Sequence, residues 1–204
     1  MSKIDKLVKE TKSIGVFSKK YFAYLNEVLN NIDNKEINKL CNYFKKARKE
    51  KKNLFVIGNG GSATTATTMA NDIGFDILKK TRTDLPFKVI SLVDNNSVLT
   101  AISNDVGYEN IFINQLKIHF KKGDYLIAIS ASGNSKNILK ASKWVKSKGG
   151  KIIGFLGFNG GKLINLCDCK IHVKTNSGEY GPVEDAHLII NHVLAHWFQK
   201  KLES

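Results

Sequence analysis

The chain has 204 residues, 42% hydrophobic and 25% charged, which is the balance of a soluble globular protein with room for one full core. No apolar run approaches the roughly 20 residues of a membrane helix, and the opening M-S-K-I-D-K leads into an amphipathic segment rather than a secretion signal. The net charge of +14, from 32 basic and 18 acidic residues, comes without a nucleic-acid-binding motif, so it reads as a Lys-rich solvated surface that would also attract an anionic ligand. Residues 1–52 alone hold 14 Lys/Arg and 6 Asp/Glu. Cys41, Cys167 and Cys169 have neither disulfide nor zinc spacing and read as reduced thiols in a cytoplasmic protein.

In chain order, Ile4, Leu7, Val8, Thr11 and Ile14 share one helical face, and Gly15 interrupts it. Phe17, Tyr21, Leu25, Val28, Leu29 and Ile32 form a second stripe. Asn34 is the expected cap of a third helix carrying Ile37, Leu40, Cys41, Phe44 and Ala47. The first strand is Asn53–Ile57, followed by a glycine loop and a helix over about 62–79. Phe87–Leu92 is the next strand, with Pro86 at its edge. A short helix over 98–104 and a longer one over 110–119 precede a strand at Asp124–Ile129. A hydroxyl-rich turn then leads into a helix ending near Lys148, where Gly149-Gly150 stop it. Strands at Lys151–Leu156 and Lys170–Val173 flank a turn at Gly160-Gly161, and Gly181-Pro182 open a last helix reaching about Lys200. Alternating strands and helices predict a single-domain α/β fold with a doubly wound parallel sheet. The expected division is an N-terminal helical segment, 1–52, packed on the sheet and between subunits, and a ligand-binding sheet domain, 53–204.

Two stretches carry the chemistry. In L-I-A-I-S-A-S-G-N-S-K-N-I-L a buried strand ends in Ser130, Ala131, Ser132, Gly133, Asn134 and Ser135, and a helix follows. Such a turn aims hydroxyls, backbone N–H groups and a helix dipole at one point, which suits a phosphate. An ordinary capped Ser/Gly turn explains the same residues. The second stretch, Gly58, Asn59, Gly60, Gly61 and Ser62 after the first strand, repeats the arrangement, with glycines that admit close backbone approach. Two such crevices at the carboxyl ends of parallel strands can face one ligand.

The ordered set G-N-G-G-S-A, T-A-I-S-N-D-V-G-Y-E, I-S-A-S-G-N-S, G-G-K-L and E-D-A-H-L-I-I-N-H, from about Leu54 to Trp197, resembles the phosphoheptose isomerases of the sugar isomerase (SIS) domain family. The resemblance implies a flavodoxin-like sheet, extra N-terminal helices and a homotetramer with active sites between subunits. It implies that Ser130, Ala131, Ser132 and Ser135 hold the substrate's phosphate. It assigns Asn59, Gly60, Gly61, Ser62, Asn104, Asp105 and Glu184 to substrate binding. It also assigns proton transfer between C1 and C2 of sedoheptulose 7-phosphate to Asp72 and His192, through an enediol. Asp72 stands where the family usually has Glu, and Glu184 where it has Gln.

Some members carry zinc through His, Glu, Gln and His. The matching positions are Thr68, Asp72, Glu184 and His192. Thr68 removes one imidazole, which leaves Asp72, Glu184 and His192 as a three-ligand set and no cofactor that the sequence requires. His187 and His196 read as packing residues of the last helix. The expected partners are a sugar phosphate and copies of the same chain, with neither membrane nor nucleic acid. The competing expectation is a phosphosugar-binding module without catalysis, such as a regulator or replication-initiation partner.

Overall fold

The computed structural model describes residues 1–202. Three helices, α1 (Lys3–Lys9), α2 (Ile14–Asn30) and α3 (Asn34–Lys49), precede the sheet. The break between the first two falls at residues 10–13, not at Gly15, because Ser13 accepts a hydrogen bond from the Val16 amide and starts α2 ahead of the glycine. Ile14 is therefore exposed and does not belong to the α1 stripe. Asp33, one residue before the expected Asn34, caps α3 by accepting from the Lys35 amide at 2.8 Å.

The strands are β1 (Asn53–Ile57), β2 (Lys88–Ser91), β3 (Tyr125–Ser130), β4 (Lys151–Gly157) and β5 (Cys169–Val173). All pair in parallel in the order β2-β1-β3-β4-β5. The register sets Val56 beside Ile127 and Ile127 beside Ile153. Residues alternate between two apolar faces, as strands buried on both sides must. On one face Leu54, Val56, Ile127, Ile153 and Phe155 pack with Leu40 and Phe44 of α3. On the other, Phe55, Leu126, Ile152 and Leu156 pack with helices from the second half of the chain. The N-terminal helices thus complete the core on one side of the sheet. Phe44, fully buried against the paired rings of Phe87 and Phe198, anchors them there.

Helix α4 (Gly61–Met69) follows β1 and runs through a wide π turn, Ala70–Asp76, into α5 (Ile77–Thr81). The chain continues through α6 (Asn96–Val106), a single 3₁₀ turn at Tyr108–Asn110, α7 (Ile111–His119), α8 (Lys136–Ser147) and α9 (Tyr180–Leu202). Among the described residues no helix is long and apolar enough to cross a membrane.

Candidate active site

Helix α4 packs on one face of the sheet and α8 on the other, although β1 and β3 are neighbours. The connections after these strands part there and leave a crevice at their carboxyl ends. A cavity of about 120 Å³ occupies it, lined by Asn59, Ser62, Ser130, Ala131, Ser132, Ser135, Tyr180 and Glu184. Six of the eight are expected phosphate or substrate contacts from the two glycine- and serine-rich turns, and Glu184 is a seventh.

The serine turn is held from behind. Ser130 Oγ accepts from the Gly133 amide at 3.1 Å, and the Leu163 amide donates to the Gly133 carbonyl at 3.0 Å. Gly133 adopts φ +62° and lies so close to the Gly160 carbonyl that a Cβ has no room, which explains the Gly160-Gly161 pair after β4. Ser135 occupies the N-cap position of α8, yet its side chain makes no capping bond. Likewise α4 is capped by Gly60, at φ +55°, without a side chain, while Ser62 lies one turn position further in and nearly buried. Neither serine is occupied as a cap, and both residues line the cavity at the starts of two helices. That arrangement suits a phosphate dianion.

The remaining lining residues shape the mouth. Asn59 and Asn137 exchange amide hydrogen bonds at 3.0 and 2.9 Å, and the Tyr108 hydroxyl donates to Asn59 Oδ1 at 2.9 Å. The Glu184 carboxylate rests on the Cα of Gly61, where any side chain would collide with it. Burial, with Asp185 alongside, raises the Glu184 carboxyl above its ordinary value. Tyr180 stacks edge-on against Phe158 at 5.1 Å. The preceding residue, Glu179, is buried and accepts from the Tyr24 hydroxyl and from the Lys3 and Ile4 amides. Burial works against its charge, and the bonds from Tyr24, Asn176, Ile4 and Lys3 outweigh it, so its carboxyl titrates below the usual range. Asn137, Tyr108 and Tyr180 have no counterpart in the sequence expectations. The closeness of Asn137 to Ser135 in S-G-N-S-K-N was the available signal for the first. Asn104 and Asp105 are exposed at the end of α6, with the Asn104 amide donating to Asp105, and do not line the cavity.

Asp72 and His192 do meet each other. Asp72 sits in the π turn and His192 on α9, with Nε2 3.5 Å from Asp72 Oδ2. Asp72 is largely covered, at 16% side-chain exposure, while His192 is 50% exposed. The pair stands away from the serine cavity: eight residues of α9 separate Glu184 from His192, roughly 12 Å of helix. Asp185, beside Glu184 on α9, accepts from the Tyr21 hydroxyl at 2.5 Å. His187 is fully buried, edge-on to Phe155 with Nε2 3.2 Å from the Leu156 carbonyl, and burial lowers its pKa to about 4.

The zinc donor set does not assemble within the chain. Among the described residues no three His, Cys, Asp or Glu side chains are placed to hold a metal ion. Glu184 lies at the head of α4, two helical turns from His192, and the Thr68 hydroxyl turns back to the Thr64 carbonyl at 3.0 Å.

The SIS domain family matches residues 20–157. A phosphoheptose isomerase from Nitratiruptor sp. is 41% identical over 148 residues, covering 72% of this chain and 76% of its own. One from Sulfurimonas denitrificans is 35% identical over 191 residues, covering 91% of each. The chain belongs to the phosphoheptose isomerases of the SIS domain family. Solved structures agree on the SIS fold. A phosphoheptose isomerase from Neisseria gonorrhoeae superposes with a TM-score of 0.79 at 23% identity, over 92% of this chain and all of that one. A phosphoheptose isomerase from Francisella tularensis gives 0.78 at 23%, over 93% of this chain and all of that one. The SIS match begins inside α2 and so takes in part of the helical N-terminus as well as the sheet.

Proposed function

We propose that the chain isomerises sedoheptulose 7-phosphate to D-glycero-D-manno-heptose 7-phosphate for heptose biosynthesis. The observation that carries the reading is the cavity at the β1/β3 crevice, with Ser62 and Ser135 both left unspent by helix capping. The phosphate would sit there, fixed by Ser130, Ala131, Ser132 and Ser135, with Asn59, Gly60, Gly61, Ser62 and Glu184 around the adjoining carbons. Asn104 and Asp105 would contact the far hydroxyls.

Asp72 would take a proton from C1 of the open-chain ketose. The C–H electron pair forms C1=C2, and the C2 oxygen takes a proton from His192. Asp72 then returns its proton to C2 while His192 takes the O1 proton, which gives the aldehyde and restores both groups. Proton transfer by a positioned group contributes about 10² to 10⁴ in rate. The contact between Asp72 and His192 supports catalysis over a non-catalytic binding role.

The roughly 12 Å of α9 between Glu184 and His192 is compatible with a homotetramer in which the pair of one subunit serves the serine cavity of another. Phe75, Val193 and Trp197, exposed near the pair, supply apolar surface for it. The product would serve lipopolysaccharide or capsule, and the enzyme would act in the cytoplasm.

The test is incubation with sedoheptulose 7-phosphate in deuterated water, following C1 and C2 by NMR. Aldose product or deuterium at those carbons is expected. Tight binding without exchange would move the protein to the binding-module reading. Light scattering that gives a monomer at micromolar concentration would refute the shared site.

A further inference from the structure

Asn191 is fully buried on α9, one residue before His192. Its Nδ2 donates to Asp72 Oδ2 at 2.7 Å, the same oxygen that His192 Nε2 approaches at 3.5 Å. The other Asp72 oxygen accepts from the Asn71 side chain at 3.1 Å. The Oδ1 of Asn191 is buried without a hydrogen-bond partner. Turning the amide over would set that oxygen against the Asp72 carboxylate, oxygen to oxygen, so the carboxylate dictates the orientation. An amide kept in an apolar helix interface with half of its capacity unmet is unfavourable for stability, and an aliphatic residue would suit the site better. Ile190 and Leu194, its neighbours on α9, are of that kind.

We infer that Asn191 is a positioning residue that fixes the Asp72 carboxylate toward His192, an inference that rests on the isomerase reading above. Asp72 needs such a clamp more than a longer carboxylate would. It projects from a π turn, where the regular helical ladder is interrupted, and it is one methylene shorter than Glu. A misplacement of about 1 Å at a reacting group is enough to cost on the order of a hundredfold in rate.

The experiment is Asn191→Leu, which fills the buried space but donates nothing, with Asn191→Thr as a donor-retaining second variant. Turnover of sedoheptulose 7-phosphate should fall about 10- to 100-fold in Asn191→Leu. KM should stay unchanged, thermal stability should be equal or higher, and Asn191→Thr should recover part of the rate. A crystal structure of Asn191→Leu should show Asp72 rotated away from His192. A kcat within twofold of wild type overturns the inference. So does an unmoved Asp72, or a parallel fall of kcat, KM and thermal stability that marks a merely structural role. If the wild type itself neither turns over nor exchanges a proton, the isomerase reading fails, and the Asp72 position in the variant crystal still decides the clamp.

Discussion

The serine cavity and the Asp72–His192 pair lie along the same two helices, α4 with its π turn and α9, and they are built in opposite ways. At the cavity the working groups are backbone amides and short hydroxyls, held by carbonyl contacts and glycines that leave no freedom. At the pair they are two side chains, one half-exposed, that meet across helices 120 positions apart. The cavity is lined by residues of two turns and of α9, whereas the pair joins a largely covered carboxylate to a half-exposed imidazole. A site divided this way lets binding energy reside in rigid backbone while the proton-moving groups face outward.

Asp72→Asn should separate the two regions most strongly. It should lower turnover by about 10² to 10⁴ or more and leave phosphosugar affinity unchanged by calorimetry. A lost affinity would place Asp72 in the binding half instead.

Between the two regions lies His187, whose burial sets a pH limit on the seam. Its pKa falls to about 4 in the fold, against roughly 6.5 unfolded. The unfolded chain therefore binds the extra proton first, so the stability is fully present above about pH 6.5 and is lost as pH falls toward 4. The loss is on the order of 3 kcal/mol. Urea unfolding between pH 7 and pH 4 should show it, and His187→Phe should flatten that part of the curve.

Smaller changes test the cavity alone. Ser132→Ala or Ser135→Ala should weaken phosphosugar binding by about 1 to 3 kcal/mol, as loss of a charge-assisted bond does. Calorimetry that finds both variants unchanged would remove the serine turn from the site.

The two regions also differ in how far the sequence reveals them. Ser130 to Ser135 and Gly58 to Ser62 are contiguous, each between a buried strand and a helix, so local chemistry marks them. The alternation of elements likewise announces a parallel sheet. Asp72 and His192 lie far apart in sequence, and only resemblance pairs them. The π turn is invisible because A-N-D-I-G-F-D satisfies the ordinary helical period on either side of it. Asn191 sits in a run, L-I-I-N-H, where an amide gives no hint of its partner. Tyr21 reads as an apolar stripe residue and Tyr24 carries no signal, and their hydroxyl bonds to Asp185 and Glu179 depend on contacts between the two ends of the chain.

Those bonds give the first helix a consequence beyond packing. Glu179 is held by the amides of Lys3 and Ile4 and immediately precedes Tyr180, a wall of the cavity. Helix α1 is thus a latch on one wall of the cavity. A chain trimmed of its first nine residues would strand a buried carboxylate with two of its donors gone. Such trimming would loosen the wall that Tyr180 forms, even though every residue lining the cavity remained in the chain.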